Sequence, residues 1–216
     1  MATRLDRERV VGTALRVLNE VGLEGLTLRR IASELNVQAP ALYWHFKNKQ
    51  ELLDEMATAM LRDLVKAERP AGQERGWREL MAEMARGLRR MLLGYRDGAK
   101  VFSGTRLTDP SLYASLDAML RQFVEAGFSL RDAVSGYSTV YNYTVGFTIE
   151  EQAVYPMPGE RNAQYDLARR AKRMEGQGVP LAQAMGEELF TGFDDRFERG
   201  LELILNGIEQ SIPRGR

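Results

Sequence analysis

Residues 42–49, Leu-Tyr-Trp-His-Phe-Lys-Asn-Lys, combine three consecutive hydrogen-bonding rings with two lysines. Tyr43, Trp44 and His45 would point in different directions on a helix, so they cannot all be buried in a core. Each ring can donate a hydrogen bond to a phosphate oxygen. Lys49 stands at the start of the next predicted helix, where backbone N–H groups also favour an anion. The segment therefore predicts phosphate contacts, although a lone histidine more often has a structural role.

Two helices are predicted to precede this segment, and their ends can be read from the sequence. Asp6 is suited to cap the first helix and Gly22 to end it. Thr27 is suited to cap a short second helix. The residues predicted to face inwards are Val10, Val11, Ala14, Leu15 and Leu18 on the first helix, and Leu28, Ile31, Ala32 and Leu35 on the second.

A third short helix is predicted from Pro40 to about Phe46, after a tight turn at residues 36–37. Proline is tolerated in a first helical turn because the missing N–H has no partner there. Short helices joined by a tight turn are typical of a helix-turn-helix, whose second helix enters the major groove of DNA. The alternative is a three-helix bundle with solvated charges. Residues 48–51, Asn-Lys-Gln-Glu, resemble a capping box that opens a longer helix.

The distribution of charge favours DNA binding by this first part of the chain. The 216 residues include 30 Lys and Arg and 30 Asp and Glu, so the whole chain is neutral. Residues 1–50 hold eight Lys and Arg against five Asp and Glu, a net charge of +3, which leaves −3 on the remainder. A small basic excess on one segment is enough to neutralise several phosphates.

Composition argues against catalysis, a cofactor and a membrane partner. There is no Cys and one His, which excludes thiol chemistry and any site that needs two imidazoles. Neighbouring carboxylates such as Glu150 and Glu151 diverge on a helix and do not form an acid–base pair. No uncharged run reaches the roughly 18 residues of a membrane span, and the N-terminus has no apolar signal core. We therefore expect a soluble cytoplasmic protein that is not an enzyme, with no metal site and no cofactor.

The rest of the chain also has helical spacing, beyond a loop at residues 68–76 that is the expected domain boundary. Its predicted helices are one over 77–92, a short and loosely held one within 94–104, one from Asp109 to about Ala126, one from Leu130 to about Tyr155, and a last one carrying Phe190, Phe193, Phe197, Leu201, Ile204 and Ile208. Residues 156–181 are expected to be mobile or partly helical. The apolar surplus of the last two long helices predicts a homodimer, unless it is consumed within one subunit.

Three segments carry a resemblance to the TetR family of transcriptional regulators, and to its tetracycline-repressor-like branch. They are residues 42–49; Tyr-Arg-Asp-Gly-Ala-Lys-Val at 95–101 followed by Gly-Thr-Arg at 104–106; and Gly-Phe-Ser-Leu-Arg-Asp at 127–132. Their order and spacing hold to about residue 210. The resemblance implies an all-α dimer whose N-terminal three-helix helix-turn-helix domain binds a palindromic operator on double-stranded DNA. It also implies a C-terminal helical core for ligand binding and dimerisation.

The domain division implied by the resemblance is a DNA-binding domain over 1–48, a connecting helix over 49–67, and a ligand-binding and dimerisation domain over 75–212. The DNA-contacting residues that it implies are Thr27, Arg29, Arg30, Gln38, Pro40, Tyr43, Trp44, His45 and Lys49. Tetracycline repressors have Glu-Gln-Pro-Thr where this chain has Gln-Ala-Pro-Ala at 38–41. Because alanine cannot read a base by hydrogen bonding, we expect a different operator.

The effector site implied by the resemblance departs further from the tetracycline repressors. Its residues would be Val65, Met84, Leu88, Phe102, Thr105, Arg106, Met119, Phe123, Asn142 and Glu150. Phe102 takes the place of the metal-ligating His, and apolar residues replace several polar ones. The site therefore predicts a small, largely apolar effector in place of tetracycline–magnesium. The alternative is that the apolar members are plain core.

The resemblance implies a mechanism in which the effector changes the conformation of segment 95–104, which is interrupted by glycines. This change alters the spacing of the two DNA-binding domains (the heads, residues 1–48), and the operator is released. A second hypothesis is a ligand-binding helical dimer or interaction module that reads no DNA sequence, since residues 39 and 41 are alanines.

Overall fold

The computed structural model describes residues 5–67 and 76–211, and this part of the chain is helical apart from turns and loops. The helices are α1 (Arg7–Gly25), α2 (Leu28–Glu34), α3 (Ala39–Tyr43), α4 (Lys49–Ala67), α5 (Trp77–Leu93), α6 (Gly98–Phe102), α7 (Leu112–Glu125), α8 (Leu130–Val154), α9 (Leu167–Met174), α10 (Pro180–Phe190) and α11 (Phe193–Ser211), with a 3₁₀ turn at Ala163–Tyr165. The predicted all-α class is confirmed. Apart from Gly76, the expected loop at 68–76 lies outside the described residues.

The ends of the first helices follow the predicted capping chemistry. A carboxylate oxygen of Asp6 accepts the N–H of Arg9 over 2.8 Å, and the Thr27 hydroxyl accepts the N–H of Arg30 over 3.2 Å. Gly22 has φ of 70°, a left-handed conformation that breaks the helical path inside α1. Both predicted caps are confirmed, whereas Gly22 interrupts α1 and the helix ends at Gly25.

The start of α4 differs in one detail from the predicted capping box. The Asn48 side-chain oxygen accepts the N–H of Glu51 over 2.9 Å, as expected. The Glu51 carboxylate accepts the N–H of Lys47 over 2.8 Å, one residue before the N-cap. The carboxylate thus also fixes the chain that leaves α3.

Two apolar clusters fill the described part of the molecule, and the first is shared between the head and the helices behind it. It joins Val10, Leu18, Ile31, Leu42 and Phe46 of the head, Leu52, Met56 and Met60 of α4, and Leu88, Leu92, Val101, Phe102 and Val145 of α5, α6 and α8. The second lies between α5, α7, α8 and α11 and includes Met81, Phe123, Val140 and Phe197. The first cluster therefore connects the head to the C-terminal helices.

The expectation of a loosely held helix within 94–104 is wrong. Gly98, Ala99, Val101 and Phe102 of α6 are all buried. The buried Gln152 of α8 accepts the N–H of Ala99 over 3.0 Å and donates to the Leu92 and Tyr95 carbonyls over 3.1 and 2.7 Å. The glycines permit a compact turn, and a side chain from a distant helix fixes it.

The long helix α8 is confirmed, and α5, α6, α7 and α11 pack around it. Residues 156–181 are partly helical, with the 3₁₀ turn and α9 among them. Phe190 does not belong to the last helix as predicted: it ends α10, and Gly192, with φ of 57°, separates it from α11. Among the described residues, no helix is both long and apolar enough to cross a bilayer.

Candidate DNA-binding and effector sites

The surface of α3 and the turn after it present two aromatic side chains to solvent. Trp44 is 89% exposed and Tyr43 56% exposed, and His45 is half-buried beside them. The flanking Leu42 and Phe46 are fully buried. These apolar residues therefore anchor the segment, while the Tyr43 and Trp44 rings stand clear of the core.

The surface of α2 adds two cations next to α3. Arg29 and Arg30 are exposed. A cleft of about 440 Å³ between α2 and α3 is lined by Arg29, Ala32, Ser33, Asn36, Val37, Gln38 and Ala39. Gln38 is the residue before α3, and Pro40 lies in its first turn. The structure thus brings two of the predicted DNA-contacting residues, Arg29 and Gln38, to one cleft.

Two of the predicted DNA-contacting residues also have a bond within the head. The Lys49 ammonium donates to the Leu23 carbonyl over 2.9 Å, and Thr27 caps α2. Lys49 therefore already helps to hold the head together.

Arg7 fixes the orientation of α3, which sequence reasoning missed. Its guanidinium donates to the His45 carbonyl over 2.5 Å and forms an ion pair with Glu55 at 2.9 Å. The same group lies 4.5 Å from the centre of the Phe46 ring, a cation–π contact. No local sequence signal joins α1 to residues nearly 40 positions away.

Two of the predicted effector residues, Leu88 and Phe102, lie together in the first apolar cluster. Phe102 is 5% exposed, and its ring centre is 6.3 Å from that of Tyr141. Tyr141 stacks in turn on Tyr137, at 6.1 Å between ring centres and an interplanar angle of 25°. Burial raises the pKa of both phenols, so both remain neutral near pH 7. An apolar wall with hydroxyl groups on it thus runs along α8.

The other apolar members of the predicted site lie elsewhere. Met84, Met119 and Phe123 belong to the second cluster, where Phe123 meets the edge of Phe128 at 5.8 Å. Val65 is half-buried on α4. The structure therefore divides the predicted apolar lining between two cores.

The four polar members of the predicted site differ in exposure. The Thr105 hydroxyl donates to the Phe102 carbonyl over 2.8 Å, whereas Arg106, Asn142 and Glu150 are exposed. A cleft of about 400 Å³ between α4 and α5 is lined by other residues, namely Met60, Asp63, Leu64, Gly87, Arg90, Met91, Gly94 and Tyr95.

The arrangement around Phe102 does not fit a metal-bound effector. A phenyl ring has no lone pair to donate, and the described residues contain no group of three or more His, Asp or Glu side chains placed to hold a metal ion.

The turn between α5 and α6 grips the end of α1, a contact that sequence reasoning also missed. The Arg96 N–H donates to the Asn19 side-chain oxygen, and its Nε donates to the Asn19 carbonyl, both over 2.9 Å. The Asp97 carboxylate accepts the N–H of Leu23 over 3.0 Å. Burial pushes the pKa of Asp97 upwards, but the Leu23 N–H and nearby Lys100 outweigh it, and the net shift is downwards.

Comparison with known proteins agrees with a DNA-binding head joined to a helical core. Residues 10–56 match the family of bacterial regulatory proteins called tetR, and residues 69–212 match the tetracyclin repressor-like C-terminal domain. The chain is 43% identical to the class C tetracycline repressor protein of Escherichia coli over 207 residues, which cover 96% of this chain and 92% of that protein.

Two solved structures with bound compounds share the fold. One is a TetR variant from Acinetobacter baumannii AYE in complex with minocycline, with 33% identity, a TM-score of 0.73, and coverage of 97% of this chain and 99% of that one. The other is the TetR family protein ActR of Streptomyces coelicolor in complex with actinorhodin, with 25% identity, a TM-score of 0.80, and coverage of 98% and 100%. The chain therefore belongs to the TetR family of ligand-responsive, dimeric transcriptional repressors, which bind operator DNA and are not enzymes.

Proposed function

We propose that the head reads an operator half-site with Trp44 and the residues around it. This proposal rests on the 89% exposure of Trp44, which stands two residues from the fully buried Leu42 on one side and Phe46 on the other. An exposed tryptophan at the end of a short helix has no role in the core of the head, whereas its indole N–H can reach a phosphate. Arg29 would read a guanine, since a guanidinium can donate to two acceptors of that base.

In vitro selection from random duplex DNA tests this proposed role of the head. It is followed by a salt titration of protein binding to the selected sequence. We expect a palindrome whose half-sites lie about one helical turn apart. The logarithm of the affinity should fall with the logarithm of salt concentration, at a slope of about −0.9 for each phosphate neutralised. Weak binding without enrichment of any sequence would overturn the proposal and favour the DNA-independent ligand-binding dimer.

We propose that the effector is a small, largely apolar molecule that binds next to Phe102. The buried Phe102 ring against Tyr141 supports this choice, because an aromatic wall favours apolar ligand surface. The hydroxyl groups of Tyr137 and Tyr141 supply a few polar anchors. Binding there would displace α6 from α8 and shift the turn that holds Asn19 and Leu23, which changes the angle of the head.

Release of a fluorescent operator, followed by anisotropy, tests the effector class. The compounds added are minocycline with Mg²⁺, minocycline with EDTA, and a panel of uncharged polycyclic aromatic compounds with EDTA. We expect release by members of the aromatic panel and no Mg²⁺-dependent release by minocycline. Release by minocycline that requires Mg²⁺ would overturn the proposed effector class and leave the operator result untouched.

We further propose the division into a head over 1–48, a connecting helix over 49–67 and a core over 75–212. The two family matches, over 10–56 and 69–212, support this division. We also propose that the protein acts in the bacterial cytoplasm, where operator DNA lies.

The first apolar cluster is shared by the head and the core, so we expect the two to unfold together. A single unfolding transition in calorimetry would support this expectation, and two separate transitions would contradict it.

A further inference from the structure

Three side chains on one face of α4 bond to a single non-helical segment of the core. Asp54, Thr58 and Arg62 are four residues apart, so they lie one above the other along the helix. The segment opposite them is residues 103–109, which we call the strap. The polar ladder is the set of contacts between these three side chains and the strap.

The rungs of the polar ladder are short and follow the chain in order. The Asp54 carboxylate accepts the N–H of Arg106 over 3.1 Å. The Thr58 hydroxyl oxygen accepts the N–H of Thr108 over 3.0 Å. The Arg62 Nε donates to the Asp109 carboxylate over 2.9 Å. Residues one turn apart on α4 thus bond to successive residues along the strap.

Burial makes the Thr58 rung the one that depends most on the strap. Thr58 is fully buried, and Asp54 is 7% exposed. The Thr58 hydroxyl accepts from the N–H and the hydroxyl of Thr108 and donates to the Asp54 carbonyl, so its bonding capacity is filled. The Asp54 carboxylate also accepts from the Gln50 amide over 2.9 Å, within α4. A buried polar group that loses its partner is destabilised. The strap therefore cannot move away from α4 without taking both donors from the Thr58 oxygen.

We propose that Asp54, Thr58 and Arg62 are positioning residues that hold α4, and with it the DNA-binding head, at a fixed angle to the core and make α4 follow the strap. The functional consequence rests on the proposed effector site, because the strap carries Thr105 and Arg106. The positioning role itself does not depend on the effector.

The absence of cysteine allows a direct test of head position. A single Glu8→Cys change puts one spin label on an exposed residue of the first turn of α1, and thus one on each head of the dimer. Double electron–electron resonance on the full-length dimer, without DNA or effector, then gives the distribution of the head-to-head distance. We expect Thr58→Val and Arg62→Met to widen this distribution at least about twofold. Thr58→Ser keeps the hydroxyl and should restore the original width.

A matched variant separates positioning from general loss of stability. Thr148→Val removes a fully buried hydroxyl whose bond, among the described residues, is to the Thr144 carbonyl of its own helix. This change should leave the width unchanged and operator affinity within about twofold, whereas Thr58→Val should weaken operator affinity about tenfold. A distribution for Thr58→Val as narrow as that for Thr148→Val would overturn the proposal, whatever the outcome of operator selection or effector release.

Discussion

The Asp97 carboxylate accepts the backbone N–H of Leu23 over 3.0 Å, although the two residues are 74 positions apart. Leu23 follows Gly22, where α1 departs from helical geometry, and a Cβ on Gly22 would come within 2.9 Å of the same carboxylate. Asp97 itself has φ of 54°, a left-handed conformation that aspartate tolerates. The kink in α1 and the turn of the core are thus shaped to each other, and the direction of the head depends on this contact.

The Asp97 contact predicts an acid-sensitive attachment of the head. The pKa of Asp97 is lowered in the folded protein, so its stabilising effect is complete above the unfolded pKa of about 3.9 and is lost as the pH falls through the folded pKa. Asp97→Asn keeps an acceptor and the left-handed backbone but loses the charge. We expect it to lower the free energy of unfolding by about 1.5 to 3 kcal/mol at pH 7.

Urea unfolding of both proteins between pH 3 and pH 7 measures this effect. The difference between them should shrink below about pH 4, because Asp97 binds a proton in the unfolded chain at a higher pH than in the folded protein. A difference that stays constant down to pH 3 would show that the charge of Asp97 contributes nothing.

The ends of the helices could be predicted from the sequence because they depend on nearby residues. Asp6, Thr27 and Ser129 each accept an N–H three residues later, and such bonds need no tertiary partner. Gln152 and Thr58 could not be predicted in this way. Each is a polar residue on a helix whose partners lie about 50 residues away, so local spacing gives no sign that it is buried.

The predicted effector residues illustrate a second limit of sequence reasoning. Phe102 and Phe123 are both buried, which fits a ligand wall and a plain core equally well. Spacing cannot separate these roles because both require apolar side chains that face inwards. The division of the apolar residues between two clusters emerges only once α5 and α8 are packed together.

Gly98→Ala should disrupt α6. A Cβ at this position would lie 2.3 Å from the Leu92 carbonyl oxygen, and backbone at the end of α5 cannot move aside cheaply. We expect a loss of about 1 to 3 kcal/mol in the free energy of unfolding, together with weaker operator binding. Gly12→Ala is the matched control, because nothing lies within 4 Å of its Cβ and it is inside α1. It should stabilise the protein by about 0.5 to 1 kcal/mol, and equal effects of the two changes would contradict the packing argument.

Gln152→Leu should loosen the turn between α5 and α6. The change leaves the N–H of Ala99 without its acceptor and removes the donors to the Leu92 and Tyr95 carbonyls. Leaving such groups unpaired costs about 1 to 3 kcal/mol each, so urea unfolding should report a loss of at least that size. Gln183→Leu on the exposed surface of α10 is the control and should change stability by less than about 0.5 kcal/mol. Hydrogen exchange at the amide of Ala99 should accelerate in Gln152→Leu but not in Gln183→Leu. Unchanged protection of this amide in Gln152→Leu would contradict the proposed role of Gln152 in holding the turn.

Trp44→Ala should weaken operator binding without destabilising the fold. Because the side chain is 89% exposed, its removal should change the free energy of unfolding by less than about 0.5 kcal/mol. We expect the operator dissociation constant to rise about tenfold, which corresponds to about 1.4 kcal/mol. Leu181→Ala is the control, since it removes an 85% exposed apolar side chain from α10 and should leave the dissociation constant unchanged.

The salt dependence of binding distinguishes the role of Trp44 from that of a nearby cation. Trp44→Ala removes no charge, so the slope of affinity against salt concentration should stay the same while the affinity falls. Arg30→Ala removes an exposed cation of α2 and should reduce the magnitude of that slope by about 0.9, the value for one phosphate contact. A smaller slope for Trp44→Ala would mean that the indole acts by orienting a neighbouring cation, whereas an unchanged affinity would remove Trp44 from the operator contact altogether.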